Sequence, residues 1–483
     1  MDRPPVGRGA LPSELWEGII LRLPPIEILS MRLLNRNFCE LIDRSPLIKH
    51  HLDLFSAGLE ERTAGEDPLG IQDRRQKLET YCSRWERFRH PEPILLGPPP
   101  FPNYGSAYVD KGFLMYDEDA GGEKENIYFM RLPSPAMEVP RIEWIIRGLP
   151  TSSLYGHGRA IYPPLDLLAI TVSSEDATSF QIQMFHMSDG KPYLNDVHPT
   201  VMGSSYGTRI QNFNVTLELT SCRISATVLK REMDPYAAKS DDMDLFVWDW
   251  RTGKMCLHFQ AQIITAHFID QYRLVGSVRR GRGVVLMLWD TSNDRSHLPG
   301  LVFDTGPGDT TSLDLDLGVH DHEMEHALPF CENHSMGLVA FSFRRRESSA
   351  MGEPTYIIPV GDLVRFTQLM GTIERVPWQD WQRFTTPIGI RWVPSHIYIT
   401  HSQVLSVHRA NSSPRSTSIL RIHDFSLRSR RRKLLVRIHG RRYPCRFGCG
   451  RRNNVPNHGA FLWNPPRTGK AASRKVVVVS LST

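Results

Sequence analysis

Two hydrophobic periodicities divide this chain. From Leu11 to Leu52 apolar residues recur at helical spacing, and beyond about Gly105 they alternate with polar ones as in strands. Leu15, Ile19, Ile20 and Leu23 fall on one face of a first helix, with Trp16 beside them and Ser13 as its expected cap. Glu14 and Glu17 suit the positive end of that helix. Pro24 and Pro25 stop it and open a second helix carrying Ile28, Leu29 and Met31. A third is expected from about Asn35 to Asp43, with Phe38, Leu41 and Ile42 as its buried stripe. Three short helices make a marginal core. Leu11, Pro12, Leu15, Trp16 and Ile19 are therefore expected to keep apolar surface for a partner, whereas Leu33, Leu34, Leu41 and Ile42 are expected to lie inside the module.

From Leu59 to about His90 the pattern is charged but helix-compatible, with Leu78, Cys82 and Trp85 at helical spacing. The proline cluster between His90 and Gly105 ends it. After that come short alternating runs, among them AYVDKGFLMY, LLAITVSS, GLVAFSF and YIIPV, separated by Gly, Pro, Ser, Asp and Asn. A degenerate repeat lies within them. FQIQMFHMSDGKP from Phe180, LFVWDWRTGKM from Leu245, VLMLWDTSND from Val285 and LRIHDFSLRS from Leu420 share an alternating strand, an aromatic or His-Asp tip and a turn. Repeated units that bury their faces only against neighbours predict a mainly β body, in the form of a β-propeller, with an array of β-sandwiches as the alternative.

The string LPSEL, the Ile20-Leu21 pair and LPPIEILSMRLLNRNFCELIDRSP together resemble the F-box. The matching positions are the opening Leu11-Pro12-x-Glu14, Leu29, the Asn35-Arg36 pair, Phe38 and the closing Leu41-Ile42. The resemblance implies docking to a Skp-type adaptor and, through it, to a cullin ubiquitin ligase. Leu11, Pro12, Leu15, Trp16, Ile19, Leu23, Pro24 and Leu29 would carry that contact. Trp248-Asp249 and Trp289-Asp290 look like the inner-strand ends of WD-repeat blades, although the other units lack the pair. With VPWQDWQRF from Val376, the arrangement is similar to fungal F-box proteins with a divergent propeller. That likeness implies a substrate receptor and names no substrate.

The expected organisation is multidomain: a disordered stretch over 1–10, an all-α F-box over 11–56, a helical linker over 57–95 and a propeller-like, substrate-binding body over 96–427. A basic, flexible segment over 428–474 and a possible closing strand over 475–483 complete it. The 483 residues, 40% hydrophobic and 23% charged, fit a folded protein. Seven scattered cysteines make no disulfide framework, and prolines and charges near the N-terminus replace the apolar core of a signal peptide. No stretch approaches the roughly 18 apolar residues of a membrane span. The expected location is therefore the cytoplasm or nucleus. The net charge of +6 is concentrated between Arg428 and Arg452, a block that suits nucleic acid or an import signal, or simply a solvated segment. Without interleaved aromatics, nucleic acid is not the expected partner.

Two groups point toward metal chemistry. His322-Glu323-Met324-Glu325-His326 is a literal H-E-x-x-H, which on a helix would hold zinc by its histidines with Glu323 as general base. His320 and His334 lie nearby, but the flanking residues leave little room for a long helix, and Asp321 and Glu325 bring charge where such proteases prefer none. Cys445 and Cys449, flanked by His439 and His458, match no common zinc spacing. The expected function is a non-catalytic receptor needing no cofactor and no membrane. A zinc metalloprotease and a nucleic-acid or scaffold protein using the arginine block are the alternatives.

Overall fold

The computed structural model describes residues 11–62, 69–87, 94–95, 104–118, 124–133, 139–150, 158–173, 179–193, 200–202, 213–230, 243–280, 283–292, 300–304, 310–317, 328–332, 337–345, 355–367, 375–388, 396–400, 403–409, 418–424, 434–436, 460–463 and 477–480. They form two compact units, the first made of the described residues up to 87 together with 328–332 and the second of all the others.

The first unit is helical. Helices α1 (Ser13–Ile20), α2 (Pro25–Met31) and α3 (Arg36–Arg44) occupy the predicted stretches. A fourth, α4 (Pro46–Ala57), follows at once, so the module has four helices rather than three. Its signals are local: Ser45 caps it by accepting from the Ile48 N–H at 3.1 Å, Pro46 opens it, and Gly58 ends it with φ of 77°. Asn35 caps α3 in the same way, accepting from the Phe38 N–H at 2.9 Å. The cap of α1 is Pro12 and not Ser13; proline brings an extended ψ but no side-chain acceptor. The span expected to be a helical linker holds a short strand, Leu59–Glu61, and then α5 (Ile71–Arg87).

The second unit is β-rich. Divided at the strand Lys254–Phe268, which pairs with one neighbour through 254–261 and with another through 262–268, its described residues form seven sheets. Six are antiparallel meanders in chain order: sheet 1 over 104–150, sheet 2 over 159–202, sheet 3 over 213–261, sheet 4 over 262–303, sheet 5 over 310–388 and sheet 6 over 396–436. Sheet 7 joins distant segments, since Val477–Ser480 pairs with Ile94–Leu95 on one side and Ala460–Trp463 on the other. The strands Leu434–Val436 and Ala460–Trp463 lie inside the stretch expected to be flexible.

Sheets 1 to 5 pack face to face in succession. In Met243–Asp249, Phe246 and Trp248 enter the core shared by sheets 2 and 3, while Leu245 and Val247 enter the core shared by sheets 3 and 4. In Gly283–Asp290, Met287 and Trp289 face sheet 3, while Leu286 and Leu288 face sheet 5. Burial on both faces explains why these strands read as nearly unbroken apolar runs. The four repeated sequence units are each the third strand of a meander, so the Trp-Asp pairs end third strands. The aspartates fold the turn that follows. Asp249 accepts from the Arg251 and Thr252 N–H groups at 3.1 and 3.2 Å, and Asp290 accepts from the Ser292 N–H at 2.8 Å. Each also pairs with the arginine that faces it across the ladder, Arg223 or Arg273.

Close approach dictates one glycine. A Cβ on Gly276 would lie 2.5 Å from the Thr265 carbonyl oxygen and 2.8 Å from the Trp289 ring. Gly276→Val is therefore expected to lower stability by about 1–3 kcal/mol or more, read as an earlier urea midpoint of the full chain.

Candidate functional site

The first unit presents the clearest surface. Its inner cluster is Ile20, Ile28, Ile42 and Ile48, with Leu21, Leu23, Met31, Phe38, Leu41 and Leu52 packed partly against it. Trp16 stands edge-on to Phe38, with ring centroids 5.2 Å apart. The apolar face expected for α1 thus splits in two. Trp16, Ile20 and Leu23 turn inward at steps of four and three, while Leu15 and Ile19, also four apart, turn outward beside Leu11. On α2, Ile28 is inward, and Ile26 and Leu29 face solvent with Leu33 one turn further on.

Of the residues singled out from the sequence, Leu11, Pro12, Leu15, Ile19, Pro24 and Leu29 are exposed, whereas Trp16 and Leu23 are half-buried. Leu33 and Leu34, expected inside the module, are its most exposed large apolar residues at 86% and 71%. They occupy the turn between α2 and the Asn35 cap, where no element among the described residues covers them. Ile26 and Leu47 belong to the same exposed set and were not foreseen. The spacing of Ile26, Leu29 and Leu33 was the available signal, since it marks a second stripe distinct from that of Ile28.

The frame behind this surface is polar and paired. The Ser45 hydroxyl donates to Glu17, tying the start of α4 to α1. Arg32 and Asp43 pair at 3.0 Å, and Arg36 and Glu40 at 3.0 Å; both pairs are exposed, so solvent screens them and they add little to stability. On α4, buried His50 meets Glu61 at 2.7 Å, and Glu61 meets Arg74 of α5 at 3.2 Å.

His51, half-buried, is held below the ordinary imidazole range, first by burial and then by the neighbouring His50. The unfolded chain therefore binds the proton more readily than the folded one, so this contribution is full above about pH 6.5 and is lost as pH falls through the lowered value. Melting of the first unit is expected to shift downward between about pH 7.5 and about pH 5.5. The shift should shrink in His51→Gln, as followed by circular dichroism.

Residues 10–50 match the F-box domain family. This chain thus carries an F-box at its N-terminus, and the exposed leucines and isoleucines lie within it. No curated protein matches the chain in sequence. Among solved structures, the chain resembles the β-propeller domain of the Trilobed protease from Pyrococcus furiosus at 10% identity and a TM-score of 0.35, covering 67% of this chain and 81% of that one. It also resembles the WD40 domain of Toxoplasma gondii coronin, at 12% identity and a TM-score of 0.33 over 68% and 75% of the two chains. A third is prolyl oligopeptidase B from Galerina marginata, at 8% identity and a TM-score of 0.38, where 77% of this chain spans 45% of that one. Likenesses at these scores add nothing to what the sheet registers establish.

The H-E-x-x-H at His322, Glu323 and His326, the neighbouring His320 and His334, and the group of Cys445, Cys449, His439 and His458 lie outside the described residues. So do 1–10 and the arginines of the basic block. Among the described residues no group of three or more His, Cys, Asp or Glu is gathered as a metal site would require, and no helix is long and apolar enough to cross a membrane.

Proposed function

We propose that this chain is the substrate-recognition subunit of a Skp-cullin-F-box ubiquitin ligase. The observation that carries the proposal is the coincidence of the F-box match over 10–50 with an outward apolar surface of Leu11, Leu15, Ile19, Leu29, Leu33 and Leu34 over a separate inner core. Exposed apolar residues in such number gain about 1.5–3 kcal/mol each when a partner covers them, which is enough to hold a Skp-type adaptor. The seven sheets are read as blades of a propeller whose ring is closed by the pairing of Ile94–Leu95 with Val477–Ser480, and this body holds the target protein.

In this reading the chain performs no chemistry, needs no cofactor and works in the cytoplasm or nucleus. Holding a target beside the ligase's charged ubiquitin carrier raises the local concentration of the reactants. The narrower likeness to fungal F-box proteins has no matching curated relative behind it. Co-expression of the intact chain with a Skp-type adaptor tests the proposal. A stoichiometric complex on size exclusion is expected, and an adaptor that elutes alone removes the reading.

A further inference from the structure

The first unit is not built from N-terminal residues alone. Its strand Leu59–Glu61 pairs antiparallel with Phe330–Glu332, in the register Leu59 opposite Glu332, Glu60 opposite Cys331 and Glu61 opposite Phe330. The Arg62 N–H extends the ladder by donating to the Pro329 carbonyl at 3.1 Å. Phe330 is 0% exposed and stands edge-on to Tyr81 of α5, with ring centroids 5.6 Å apart. Leu59, Leu78, Tyr81 and Leu328 are buried as well.

In chain order this strand comes from sheet 5. It falls between Thr310–Leu317 and Leu338–Arg345, the first and second strands of that meander. Elsewhere the same connection is short, as at 111–112 in sheet 1 and 220–222 in sheet 3. Only in sheet 5, among the six meanders, is it lengthened to 318–337, and the lengthened connection supplies a strand to the other unit.

Neither this two-stranded ribbon nor α5 is stable by itself. A two-stranded ribbon is marginal in water, and so is an isolated helix of the 17 residues of α5. We propose that residues 328–332 are a strap, donated by the chain of the β body, that keeps α5 folded against α4. The order of α5 is thereby set by a segment encoded within the body. The inner cluster of Ile20, Ile28, Ile42 and Ile48 does not include the strap, so α1 to α3 keep their packing when the strap is lost. The strap is thus a device for ordering or releasing α5 without dismantling the F-box.

Hydrogen exchange of the full chain, with no adaptor present, tests this independently of the ligase reading. In Phe330→Ala, amides of 59–62 and 71–87 are expected to exchange about tenfold faster or more, while 11–44 and 213–290 keep their protection. Unchanged protection of 71–87, or equal loosening of 213–290, overturns the strap. A second variant stands if that one misfolds. Glu60→Cys faces native Cys331 across the ladder, and oxidation is expected to join them and to slow exchange in 71–87. Absence of the linked peptide by mass spectrometry overturns the pairing itself.

Discussion

A chain carrying Leu15→Asp together with Leu33→Asp is expected to keep its fold and to lose a Skp-type adaptor by about a hundredfold or more. Both leucines are exposed in the free protein, so neither substitution removes a core contact. In the complex each would give up about 1.5–3 kcal/mol of apolar burial, and each carboxylate would pay for desolvation besides. Two such losses exceed about 3 kcal/mol, which is two decades in affinity. Ile20→Asp is the contrasting variant: Ile20 is 0% exposed, and a buried charge there should unfold α1 to α3 themselves. Adaptor capture and circular dichroism separate the two outcomes. Should Leu15→Asp alone abolish capture while Leu33→Asp leaves it whole, the contact is confined to α1 and the turn after α2 is bystander surface.

The pair Ile19-Ile20 shows what the sequence makes legible and what it does not. Adjacent isoleucines on an amphipathic helix differ by about 100° of rotation, and either is a reasonable core residue by pattern. Only the position of α3, through Phe38 and Ile42, selects Ile20 for the inside. Leu33 and Leu34 mislead for the same reason, because apolar character states an affinity for burial and not whether the burying surface is in this chain. Capping, in contrast, is local chemistry. Asn35 and the Pro24-Pro25 pair are readable as they stand, and Ser45-Pro46 carried the same message for α4.

In the body, legibility followed burial. The third strands at Met243–Asp249 and Gly283–Asp290 are flanked on both sides within their sheets and packed on both faces, so they are long and apolar and end in a turn-forming aspartate. Fourth strands such as Thr200–Met202 and Leu301–Phe303 are three residues long and leave almost no periodicity to detect. The strap is harder still. Phe330-Cys331-Glu332 has no local sign of its pairing with Leu59–Glu61, because that pairing is long-range and depends on the arrangement of α4 and α5.

Trp381→Ala is expected to cost the body about 3–5 kcal/mol, the range for deleting a buried aromatic side chain. Trp381 belongs to a short helix, Trp378–Trp381, within the segment that separates the strands Thr355–Pro359 and Thr386–Ile388 of sheet 5. It is 0% exposed, and its centroid lies 5.3 Å from those of both Phe303 and Phe341 and 4.8 Å from that of Trp378. Its indole N–H donates to the Asp304 carbonyl at 2.9 Å. The same segment adds the strand Arg375–Val376 in parallel to Leu301–Phe303, so the tryptophan closes the core between sheets 4 and 5 where the fourth strand of sheet 4 is only three residues long. Trp381→Phe separates the two contributions. A ring that keeps the packing but drops the hydrogen bond should cost only about 1–2 kcal/mol. A urea titration of the two variants would read the difference, and equal losses would mean that the bond to Asp304, and not the ring, holds the segment in place.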